Sequence, residues 1–88
     1  MIQTLTFTLQ ADSFYTTEFQ ADGKCHVQIN KEPDNAGETV FEAAVAGEPY
    51  TTLKPTYDSS GILAEIDLPA GFNVRIKSST PVTYAAVI

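Results

Sequence analysis

Residues 62–77 read ILAEIDL-PAG-FNVRIK, and the period inside this stretch decides the fold. Ile62, Ala64, Ile66 and Leu68 fall on one side of an extended chain, with Leu63, Glu65 and Asp67 on the other. Beyond the Pro69-Ala70-Gly71 turn, Phe72, Val74 and Ile76 alternate against Asn73, Arg75 and Lys77. Successive side chains of a strand point to opposite faces, so a repeat of two marks strands with one face in a core and one in water.

Working outward, the same period recurs. In Gln3–Leu9, Leu5, Phe7 and Leu9 alternate against Thr4, Thr6 and Thr8. Phe14–Phe19 sets Tyr15, Thr17 and Phe19 on one face. Cys25, Val27 and Ile29 oppose Lys24, His26, Gln28 and Asn30. Between these two runs, Asp22-Gly23 tolerates the positive φ of a tight turn, and the spacing predicts a β-hairpin over 14–29. Lys31–Glu38, rich in Pro, Gly, Asn and acid, reads as a loop. Thr39–Gly47 stays open: its alanines support a helical turn, whereas Val40, Phe41 and Val45 favour a strand. Tyr50–Leu53, between Pro49 and Pro55, is at most an edge. Asp58–Gly61 turns the chain, and after Ser78–Pro81 the positions Val82, Tyr84, Ala86 and Ile88 alternate. The expected architecture is one all-β domain over residues 1–88, an antiparallel two-sheet β-sandwich, jelly-roll or Ig-like, of seven to eight short strands.

Composition narrows the function classes. Eighty-eight residues make one domain with a thin core. Eleven acids against five bases give a net charge of −6. Nucleic-acid binders draw affinity from neutralising phosphates, so neither nucleic acid nor an anionic membrane is an expected partner. Cys25 is the only cysteine, which rules out an internal disulfide framework and suits a reducing cytoplasm. MIQTLTFTLQ lacks a basic segment followed by a continuous apolar run, so neither a signal peptide nor a membrane span is expected.

Chemistry-bearing residues are few. Cys25 and His26 are adjacent, so on a strand they face opposite ways and cannot form a thiolate–imidazole pair. Glu65 and Asp67 share a strand face about 6–7 Å apart, a spacing that overlaps the carboxyl separation of glycosidases, but a solvated polar face produces the same pattern. Glu32, Asp34, Asn35 and Glu38 crowd one loop without the spacing of a calcium-binding loop. One Cys and one His are too few for a zinc site, and the glycines are isolated turn residues. No enzymatic activity, metal or cofactor is expected.

Surface remains. Tyr15, Tyr50, Tyr57 and Tyr84 are candidates for a contact patch, with Tyr50 and Tyr57 in the irregular segment 47–61. The first strand, IQTLTFTLQ, and the last, VTYAAVI, carry neither charge nor proline, so both are candidate pairing edges. The candidate partner-contact residues are therefore Ile2, Leu5, Phe7, Tyr50, Tyr57, Tyr84, Val87 and Ile88.

The segments TTEFQADGKCHVQI and PAGFNVRIKSSTPVTYAAVI resemble small β-sandwich structural modules of tailed-bacteriophage virions. In those modules an Asp-Gly turn is followed by a late strand of the form V-R-I/V-x-S, here Val74–Ser78, and a terminal strand of alternating aliphatics, here Val82–Ile88. The likeness covers about half the chain, and the Trp that such modules carry after the turn is absent. It implies a non-enzymatic role as a capsid decoration (cement) protein in the virion, assembled in the host cytoplasm. Its implied partners are the major capsid protein or other virion subunits, with self-association as a dimer or trimer. A head-fibre, tail or baseplate accessory, or a small carbohydrate-binding module using Tyr50 and Tyr57, are the alternatives.

Overall fold

The computed structural model describes residues 2–45 and 49–88 and places nine strands among them. In chain order these are β1 (Gln3–Thr4), β2 (Thr8–Leu9), β3 (Tyr15–Gln20), β4 (Gly23–Asn30), β5 (Thr39–Val45), β6 (Thr51–Tyr57), β7 (Gly61–Leu68), β8 (Phe72–Ser78) and β9 (Tyr84–Val87). They form a four-stranded sheet, β1-β9-β4-β7, packed on a five-stranded sheet, β2-β3-β8-β5-β6. All pairings are antiparallel. With β2 taken as the continuation of β1 into the opposite sheet, the strand order is that of a jelly roll, not of an immunoglobulin domain. Among the described residues the strands number nine, rather than seven or eight, because the first alternating run splits in two.

That split is a consequence of burial. Thr4 pairs with Ala86 in one sheet and Thr8 with Thr16 in the other, so the chain crosses the sandwich between them. Leu5 is buried at the crossing and Phe7 is half-buried, while Leu9, expected inward, is exposed.

The hairpin expected over 14–29 does not form. β3 pairs with β2 and β8, and β4 pairs with β7 and β9, so Ala21-Asp22 arches from one sheet to the other. Gly23 does adopt positive φ, 88°, but an arch needs that freedom as much as a hairpin does. Both strands then turn apolar faces toward each other across the core: Thr17 and Phe19 from β3, Val27 and Ile29 from β4.

Thr39–Val45 is a strand, which settles the open segment; its last residues, Ala46 and Gly47, lie outside the described residues. It runs in register with β8, pairing Phe41 with Ile76 and Ala43 with Val74, and tertiary burial overrides alanine's helix preference. Among the described residues β6 is an edge as expected, but it extends to Tyr57, and its register against β5 shifts between Leu53 and Tyr57.

The phase of β9 is opposite to the expected one. Ala85 and Val87 enter the core, whereas Tyr84 and Ile88 face out. Nor is β9 an edge, since it lies between β1 and β4.

The core joins Val27, Ile29, Ile62, Ile66, Ala85 and Val87 of one sheet to Phe19, Phe41, Val74 and Ile76 of the other. Each fully buried aliphatic of this kind contributes about 1.5–3 kcal/mol. At one end the 31–38 loop is latched to the β8–β9 turn. Lys31 Nζ and Thr80 Oγ1 both donate to the Ala36 carbonyl, at 2.6 and 2.9 Å, and the Glu38 amide donates to Ser79 Oγ at 2.8 Å.

Candidate interaction face

The two sheets present outer faces of different chemistry. On the five-stranded sheet, Glu18, Arg75 and Glu42 lie side by side across three strands. Arg75 Nε donates to Glu42 Oε1 at 2.8 Å, and its guanidinium carbon lies 4.1 Å from the Tyr50 ring centroid. The Tyr50 hydroxyl donates to Glu18 Oε1 at 2.7 Å. One step along, Lys77 Nζ is 4.4 Å from the Phe14 ring centroid and 3.9 Å from Asp12 Oδ2. Gln20 Nε2 donates to Asn73 Oδ1. This face spends its polar groups on itself.

The outer face of the four-stranded sheet is different. Cross-strand pairing sets Thr4, Ala86, Gln28 and Leu63 in one row, and Tyr84, Asn30 and Gly61 in the next. Beside them Ile88 and His26 exchange backbone bonds of 2.8 and 2.9 Å, and Glu65 lies across from His26. Leu63 is 81% exposed, Ile2 64%, Ile88 60% and Tyr84 46%. All four line an open depression of about 440 Å³ whose floor includes Ala64, Ala86 and Val87. Exposed large apolar side chains scattered singly are ordinary; gathered around one concavity they make this face the candidate contact surface. His26 Nε2 and Glu65 Oε2, 3.1 Å apart and both exposed, form its polar rim.

The proposed contact residues separate accordingly. Ile2, Tyr84 and Ile88 come together on this face, with the buried Val87 beneath them. Leu5 belongs to the core and offers no contact surface, because the crossing turns it inward. Phe7 packs against the core edge. Tyr57 also packs inward, edge-on to Phe41 with ring centroids 5.6 Å apart, whereas Tyr50 lies on the opposite, outer side of the five-stranded sheet. They share no platform. In segment 47–61, Gly47 and Glu48 lie outside the described residues. Leu63 was absent from the contact set, although an apolar residue out of phase in an alternating strand was its visible signal.

The remaining chemistry-bearing residues stay apart. Cys25 is half-buried beside the core while His26 faces out, as adjacent strand positions must. Burial pushes the Cys25 thiol pKa up. Among the described residues no three or more His, Cys, Asp or Glu side chains gather as metal ligands do. No protein-family model matches the chain, and no curated protein matches it in sequence.

Proposed function

We propose that this protein is a non-enzymatic structural subunit that docks on other protein subunits through the outer face of its four-stranded sheet, and that it serves as a capsid decoration protein of a tailed-bacteriophage virion. The observation that carries the docking role is the grouping of Ile2, Leu63, Tyr84 and Ile88 around one depression, opposite a face whose charges are paired internally. Burying such a patch against a shell subunit removes apolar area from water at about 25 cal/mol per Å². The exposed His26–Glu65 pair supplies a polar rim that fixes orientation. The choice of the virion shell as partner rests on the resemblance of residues 16–29 and 69–88 to phage modules. Jelly rolls also build capsid and lectin domains, which is analogy at the level of fold alone.

The test is composition of the particle. Virions of the phage that encodes this chain, purified through a density gradient, should contain it in a fixed ratio to the major capsid protein. The double substitution Tyr84→Ser and Ile88→Ser should leave the fold intact and strip the protein from particles. Absence from purified virions, or undiminished retention of the double variant, would overturn the proposal.

A further inference from the structure

Four sheet edges are described, and three of them are blunted against strand addition. β1 and β2 are two residues long, and β6 carries Pro55 and a register shift. β7 is the exception. It runs eight residues in unbroken register with β4, without proline or bulge; its two charges, Glu65 and Asp67, are exposed on the outer face of the sheet, and its other side has no strand among the described residues.

The direction of its backbone groups follows from β4. His26 exchanges both its backbone bonds with Ile88, so even positions of β4 serve β9 and odd positions serve β7. Cys25, Val27 and Ile29 stand across from Ile66, Ala64 and Ile62, which therefore use the inward groups of β7. Gly61, Leu63, Glu65 and Asp67 turn N–H and C=O to the open side. The Ser59 hydroxyl marks this at Gly61, where it donates to the carbonyl at 3.0 Å and accepts from the amide at 3.2 Å.

We infer that β7 pairs antiparallel with β7 of a second copy, about a two-fold axis at Leu63, joining two four-stranded sheets into one continuous sheet. The register is selected by side chains. Centring on Glu65 would set two carboxylates directly opposite, and centring on Ala64 would leave them diagonal; like charges so placed destabilise a pair. Centring on Leu63 lays the most exposed leucine of each copy against its twin and sets each Glu65 across from Gly61, where there is no side chain. Gly61 supports this independently. Its φ is not in the positive range and an added Cβ would meet only Asn30 Nδ2, at 3.9 Å, so nothing within one copy requires glycine there. Glycine in a strand commonly marks the close approach of another backbone. The exposed Ser59 hydroxyl gives way to that backbone. The pairing leaves the apolar depressions of both copies on one side, side by side, and it does not depend on the virion as partner.

Sedimentation of the isolated full chain over a range of concentrations tests it. A reversible monomer–dimer equilibrium is expected, strengthened by added salt because two chains of −6 repel. Leu63→Lys should weaken it by about tenfold or more while leaving the monomer folded. In a Cys25→Ala background, Leu63→Cys should oxidise to a covalent dimer, since paired strands hold opposed Cα atoms about 5.5 Å apart, within disulfide reach. Asp67→Cys, also exposed, should not. A chain that stays monomeric at millimolar concentration, a dimer indifferent to Leu63→Lys, or equal cross-linking at 63 and 67 would overturn the inference. Dimers that form without particle binding would instead count against the docking role alone.

Discussion

Thr39 and Ser78 stand directly across from one another on β5 and β8, both sealed from solvent, and only the serine is satisfied. Ser78 Oγ donates to the Thr80 carbonyl at 2.6 Å, whereas Thr39 Oγ1 has no hydrogen-bond partner. A buried hydroxyl without a partner costs about 1–3 kcal/mol. Thr39→Val, which keeps the shape, should raise stability by about 1 kcal/mol, read as a higher urea midpoint at unchanged slope. Ser78→Ala should lower it.

The latch at the end of the sandwich constrains Gly37. Its φ is 57°, and an added Cβ would lie 2.5 Å from Ser79 Oγ and Thr80 Cγ2. Gly37→Ala should therefore cost about 1–3 kcal/mol. Gly61→Ala, at an ordinary φ with open space, is the contrast: in dilute solution it should leave thermal stability unchanged or slightly raised.

Lys31 is 5% exposed, with its ammonium on the Ala36 carbonyl, and burial holds its pKa below the ordinary 10.5. Between the folded value and 10.5 the unfolded chain binds the extra proton, so the contribution of this residue to stability rises with pH through that window. Below the window the full cost of a buried ammonium applies. Lys31→Met should be more stable than the parent at neutral pH, and the difference should shrink toward pH 10.5. Ala36 keeps Thr80 Oγ1 as a donor in the variant. Urea midpoints of both proteins across that range decide the sign.

Cys25 is half-buried with its thiol pKa raised, first by desolvation and then by the charge of Asp67. At pH 8 iodoacetamide should modify it about tenfold or more slowly than a free thiol. Denaturant should abolish the protection. Rapid modification of the folded protein would mean that β7 parts from β4 far more often than their packing implies.

Strand identity was legible wherever apolar and polar residues alternate without interruption, as in Ile62–Leu68 and Phe72–Lys77. Two kinds of residue hid the rest. Asp22-Gly23 announces that the chain reverses, yet the same backbone freedom serves a hairpin within one sheet and an arch between two. Only the distant partners of each strand, β8 and β7, decide between these. In TYAAV, apolar side chains occupy both parities, so the repeat carries no phase; the pairing of Ala85 with Ile29 and of Val87 with Val27 sets it. The candidate contact face was half visible. Ile2, Tyr84 and Ile88 were apparent as apolar residues, but their meeting with Leu63 depends on β9 inserting between β1 and β4.

That insertion bears on how the molecule assembles. The five-stranded sheet holds two local pairings of consecutive strands, β2 with β3 and β5 with β6, while the four-stranded sheet holds none. Every ladder in the latter closes a long loop, down to Gln3 meeting Val87, and such closures slow folding to about milliseconds or longer. The half that carries the candidate docking face thus has no local pair of strands to start from, and its ladders await contacts that span up to nearly the whole chain.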